Sequence, residues 1–136
     1  MPTIRRIPSP LVCETTPAAS TQLPHAMSAP GLARRFVTDY ACAAHGRGQV
    51  DNATLLVSEA VTNAVLYGAP PVALSIDCTG DALTIRVGDA SSNLPIVEHP
   101  KPDEDHGRGM LLIDMLADEW GTELTAKGKE VWFVLR

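Results

Sequence analysis

The strongest constraint on this chain is a change of hydrophobic period at Gly68-Ala69-Pro70-Pro71. Beyond it, Val72, Leu74, Ile76 and Cys78 alternate with Ala73, Ser75 and Asp77, and Leu83, Ile85 and Val87 alternate with Thr84 and Arg86. A period of two sends successive side chains to opposite faces of a strand. With Thr79-Gly80-Asp81 as the turn, this stretch predicts an antiparallel hairpin with one buried face. Such a face needs a cover, and the residues before the break supply it with a period of 3.6.

The first helix starts at Ser28-Ala29-Pro30, a cap followed by a proline in the opening turn. Leu32, Phe36, Tyr40 and Ala43 recur along it, and Gly46 and Gly48 end it. Asp51 is the expected cap of a second helix running to about residue 67, where Gly68 and Pro70 stop it. Residues 90–107 have no period. A third helix is predicted over 108 to about 119, with Leu111, Leu112, Met115 and Leu116 inward. Strands near 121–125 and 130–135, joined by Lys127-Gly128-Lys129, close the chain. The expected fold is α/β, a two-layer sandwich whose mixed, mostly antiparallel sheet is covered on one face by helices. Aromatic residues are only 4% of the chain, so aliphatic side chains must build the core. Pro2, Pro8, Pro10 and Pro17 mark residues 1–20 as a flexible tail or a short edge strand, leaving one domain over 21–136.

Several function classes are disfavoured by composition. The net charge of −5 gives no electrostatic footprint for nucleic acid or an anionic membrane. Cys13, Cys42 and Cys78 are odd in number and widely spaced, unlike a disulfide framework or a zinc site. No apolar run reaches the roughly 18–20 residues that cross a bilayer. Pro8, Pro10 and Glu14 interrupt any signal core after Arg5 and Arg6. The expected location is the cytoplasm.

Three segments carry chemistry. Glu59 and Asn63 are four apart on the second helix and share a face, while Val57, Ala60, Val61 and Ala64 lie on the other side. An amide oxygen suits Mg²⁺, and a carboxylate can accept a proton; taken alone, the pair also fits two polar residues on a solvated face. Asp89 ends the second hairpin strand. A buried carboxylate needs a donor, such as an exocyclic amine, although an Asp there also suits a turn bonded to its own backbone. In His106-Gly107-Arg108-Gly109-Met110, glycines and helix-start amides can approach an anion; a flexible hinge is the plain alternative.

In this order, the E-x-x-x-N helix, the strand-end Asp, a variable lid over 90–106 and a Gly-x-Gly opening a helix resemble the histidine-kinase-like ATPases. This is the Bergerat fold shared with gyrase and heat-shock chaperones, and the resemblance spans roughly residues 28–136. The Gly-Arg-Gly-Met-Leu-Leu-Ile run, Trp120-Gly121 and Val131-Trp132-Phe133 are similar to the actinobacterial anti-sigma-factor serine kinases. That resemblance implies ATP and Mg as ligands. Glu59 would be the catalytic acid-base group, Asn63 the Mg ligand, Asp89 the acceptor for the adenine amine, and Gly107, Arg108 and Gly109 the phosphate cradle. It also implies a sigma factor and an anti-sigma-factor antagonist as protein partners, with a serine of the antagonist phosphorylated, and a homodimer. Ser91 stands where the family has the glycine of Asp-x-Gly, Tyr67 stands where a His often occurs, and the lid carries Glu98, Asp103, Glu104 and Asp105. The alternative is a regulator of the same fold that acts by protein contact with weak or no ATP turnover. A simple ATP hydrolase, or the orphan half of a sensor kinase, is a third reading.

Overall fold

The computed structural model describes residues 18–41, 46–92 and 108–136. The elements are β1 (Ala19–Leu23), α1 (Ala29–Tyr40), α2 (Arg47–Tyr67), β2 (Val72–Thr79), β3 (Ala82–Asp89), α3 (Arg108–Leu116), β4 (Glu119–Thr125) and β5 (Gly128–Leu135). The strands form one sheet in the order β1-β2-β3-β5-β4. Each pairing is antiparallel, so the parallel component allowed by a mixed sheet is absent among the described residues.

The alternation read from the sequence sets the layers. Val72, Leu74, Ile76 and Cys78 of β2 and Leu83, Ile85 and Val87 of β3 are buried, and β5 adds Val131, Phe133 and Leu135. The helices lie on this face. Helix α2 meets it with Ala53, Leu56, Val57, Ala60, Val61 and Ala64, an i, i+3, i+4 stripe down its length. Gly80 takes φ +60 in the β2–β3 turn, the left-handed conformation that a glycine adopts without strain. Gln49 ties the start of α2 to the end of the sheet, its amide donating to the carbonyl of Leu135 at 2.6 Å.

Several boundaries differ from expectation. Gly46 and Gly48 do not end α1. That helix stops at Tyr40, Gly46 is the N-cap of α2, and Gly48 lies inside α2. Asp51 is therefore not a cap but an exposed residue in the second turn of α2. The inward stripe of α1 is Ala29, Pro30, Ala33 and Val37, whereas Leu32 and Tyr40 are exposed. Small residues take most of the inward positions, and Phe36 packs partly buried beside them. In α3 Met110 and Ile113 are buried, Leu112 and Leu116 pack partly buried against the core as expected, and Met115 is 67% exposed, so the expected stripe is kept only in part. Ser28 precedes α1 but makes no side-chain cap bond. The edge strand β1 begins at Ala19, within the stretch read as a tail or edge strand. Residues 1–17, Cys42, Ala43 and the lid residues 93–107 lie outside the described residues. No helix among the described residues is long and apolar enough to cross a membrane.

Candidate functional site

Helix α2 supplies the long wall of the site. With Ala60, Val61 and Ala64 buried beneath it, its opposite face leaves Glu59 and Asn63 half-buried, one turn apart. Among the described residues neither side chain has a hydrogen-bond partner. Thr62 is differently engaged: its hydroxyl donates to the carbonyl of Ser58 at 2.7 Å. Arg34 of α1 donates to the Ser58 hydroxyl at 2.9 Å, joining α1 to α2.

The start of α3 rests on this pair. Gly109 is buried. A Cβ there would come within 3.1 Å of Asn63 Nδ2, 3.4 Å of Glu59 Cβ and 3.5 Å of Asn63 Oδ1. The glycine therefore permits the first turn of α3, whose amides have no partner within the helix, to lie against the acid and the amide. Three of the six expected site residues, Glu59, Asn63 and Gly109, thus meet at one place. Arg108 opens α3, and Gly107 lies outside the described residues.

Asp89 forms the other end. It closes β3 on the helix-covered side of the sheet and is 6% exposed. Its Oδ1 accepts the backbone amide of Ser91 at 2.8 Å and that of Ala69 at 3.3 Å. Its Oδ2 lies 3.4 Å from Lys129 Nζ. The backbone-bonded turn reading therefore fits one carboxylate oxygen, and Lys129 stands as a cationic neighbour of the other. Gly68, the C-cap of α2, closes over the group. A Cβ there would fall 2.5 Å from Asp89 Cγ and 2.6 Å from the carbonyl oxygen of Ala64. Gly68 follows Asn63 by five positions, about 7–8 Å along the helix axis, so both ends of the candidate site lie along one helix.

Three participants carry no chemical signal in the sequence. Gly68 reads there only as a helix stop, and Gly128 and Lys129 only as a turn. Gly128 has φ +145, and the backbone of Asp89 and Ala90 occupies the space a side chain would need. The signal for Lys129 was its parity. It alternates in phase with Val131, Phe133 and Leu135, so it points to the buried face, as Asp89 does in phase with Val87 and Ile85.

The donor set suits a magnesium-bound phosphate group. A lone amide oxygen next to a helix start leaves the remaining coordination positions to phosphate oxygens and water, the usual arrangement for Mg²⁺. Among the described residues no cluster of three His, Cys, Asp or Glu side chains exists to hold a metal by itself.

Comparison with known proteins identifies a family and a shared fold. The profile of the family described as "Histidine kinase-like ATPase domain" matches residues 23–135. The crystal structure of the RsbU and RsbW domains of Rv1364c from Mycobacterium tuberculosis superposes with a TM-score of 0.67 at 18% identity. The match covers 89% of this chain and 32% of that one, and at this identity it establishes the shared fold. Comparison with curated protein sequences returns no match.

Proposed function

Because this chain belongs to the histidine kinase-like ATPase domain family, we propose that it binds Mg–ATP between α2, α3 and the Asp89 end of the sheet, and uses it as a protein-serine kinase acting as an anti-sigma factor. The observation that carries the reading is the packing of Gly109 against Glu59 and Asn63. It places an acid, an amide and helix-start amides around one point, the parts that phosphoryl transfer needs for positioning and charge neutralisation.

In this reading Asp89 accepts a hydrogen bond from the adenine amine, and Asn63 offers its amide oxygen to Mg²⁺, which neutralises charge on the phosphates. Gly107, Arg108 and Gly109 cradle the phosphates. Glu59 takes the proton from an incoming serine hydroxyl. The serine oxygen bonds to the γ-phosphorus as the bond to the bridging oxygen breaks, leaving phosphoserine and ADP. The serine belongs to an antagonist protein, and the second partner is a sigma factor. Those identities rest on the sequence resemblance to anti-sigma-factor serine kinases, with the fold shared with the RsbU–RsbW structure as support. The cytoplasm is the matching location, and the same resemblance supports a homodimer.

A second reading has its own support. Asp89 already holds two amides and an ammonium, and Ser91 replaces the family's glycine. Both favour a protein-contact regulator with weak nucleotide binding. Titration calorimetry with Mg–ATP separates the two. The kinase reading expects binding that requires Mg²⁺ and is lost in Asn63→Ala. Absence of binding at millimolar ATP would leave the contact reading standing.

A further inference from the structure

We infer that Lys129 is a specificity-determining residue, pairing with Asp89 as a donor beside an acceptor to read the C6–N1 edge of adenine. The inference rests on the nucleotide reading above and deepens it.

The pair is out of place as packing. Lys129 lies in a strand face otherwise made of Val131, Phe133 and Leu135, and its side chain is 7% exposed against 2% for that of Asp89. A buried ion pair contributes little net stability over apolar residues of similar volume. Its contribution here is chemical: it places two opposite hydrogen-bonding groups side by side at the end of the site.

The carboxylate is only half committed. Oδ1 carries two backbone amides, which fix its plane. The 3.4 Å from Oδ2 to Lys129 Nζ exceeds the roughly 2.7–2.9 Å of a tight charge-assisted bond. Oδ2 therefore keeps capacity for another donor, and an ammonium has three protons to give and no acceptor. A group reaching Oδ2 meets the ammonium next to it.

Adenine presents the complementary pair on neighbouring atoms: the N6 amine donates and N1 accepts. In hypoxanthine and guanine the order is reversed, with O6 accepting and N1–H donating. With N6 on Asp89 and N1 on Lys129, adenine is satisfied twice. The other purines would set O6 against a carboxylate and N1–H against an ammonium. Asp89 alone rejects them once; Asp89 with Lys129 rejects them twice.

The test is calorimetry on the full chain with Mg–ATP, Mg–1-deaza-ATP, which lacks only the N1 acceptor, and Mg–ITP. Wild type is expected to bind 1-deaza-ATP about tenfold more weakly than ATP, the loss of one hydrogen bond to a charged group. In Lys129→Met that gap closes, ATP itself binds about tenfold more weakly, and discrimination against ITP shrinks. Lys129→Arg keeps part of the gap. A lysine with a purely structural role would instead weaken all three ligands alike. The inference is overturned if wild type binds ATP and 1-deaza-ATP equally, or if Lys129→Met preserves the gap. Should Lys129→Met fail to fold, the wild-type comparison decides alone. Absence of any nucleotide binding by wild type removes both the inference and the reading beneath it. ATP binding whose selectivity over ITP is lost in Asp89→Asn, combined with indifference to the N1 atom, keeps the reading and removes the inference.

Discussion

At the β3 end of the site, Asp89 packs against Gly68, holds two amides and an ammonium, and is backed by a glycine at φ +145. At the α2–α3 end, Glu59 and Asn63 are half-buried, have no hydrogen-bond partner among the described residues, and touch a glycine that merely leaves room. The first end is prepared before a ligand arrives, and its residues carry the fold as well as the site. The second has half-buried polar atoms that no described residue engages, and in the proposed function these meet phosphate, metal and a substrate hydroxyl. The two should therefore respond differently to substitution: the base end through stability, the phosphate end through binding.

The largest effect is expected at Gly128. A side chain there meets the backbone of Asp89 and Ala90, which cannot swing aside as a flexible side chain would, and the φ of +145 is itself unfavourable for any other residue. Gly128→Ala is expected to lose about 3–5 kcal/mol of stability and to abolish nucleotide binding, because β3 and β5 must part where Asp89 and Lys129 pair. Urea unfolding measures the first and calorimetry the second. A loss below about 1 kcal/mol would mean that this end is not rigid, and the contrast would collapse.

A smaller loss is expected from Asp89→Asn. The amide keeps the shape but removes the Asp89 charge from beside the buried Lys129 ammonium, costing about 2–3 kcal/mol. Glu59→Gln, by contrast, removes a charge from a half-exposed helix position and should leave stability within about 0.5 kcal/mol of wild type. Equal unfolding midpoints for the two variants would contradict the difference drawn between the ends.

The legibility of the sequence divides along physical lines. The β2–β3 hairpin and the buried stripe of α2 were readable because a one-sided surface imposes a strict period on apolar residues. The displaced stripe of α1 and part of that of α3 were not. In α1 small residues face inward, and hydrophobic size misleads about direction: Ala33 is buried while Leu32 is exposed. Strand β1 offers Ser20, Thr21 and Gln22 with only Leu23 fully buried, so its signal lies in pairing with β2 and not in its own pattern. At the site, Glu59, Asn63 and Gly109 were legible from motif order and are brought together. Lys129 was hidden because a lysine beside a glycine reads as a turn. Only the in-phase run to Val131 and Phe133 reveals that it points inward.

The least costly change sits where the phosphate end meets α3. Gly109→Ala places a methyl group 3.1 Å from Asn63 Nδ2 and 3.4 Å from Glu59 Cβ. The first neighbour is the tip of a side chain and can rotate away. Replacing glycine by alanine inside a helix also gains roughly 0.8–1 kcal/mol in propensity. The two effects oppose each other, so the stability change should be under about 1 kcal/mol in either direction. Binding has no such compensation. The rotation that relieves the methyl turns the Asn63 amide oxygen away from the helix start, and Mg–ATP affinity should fall several-fold while affinity for ATP without Mg²⁺ falls less. Calorimetry with and without the metal, alongside urea unfolding, reads all three quantities on one variant. Unchanged Mg–ATP affinity would mean that α3 moves off Asn63 when nucleotide binds, and that the phosphate end of the site is assembled by the ligand instead of by the packing of Gly109.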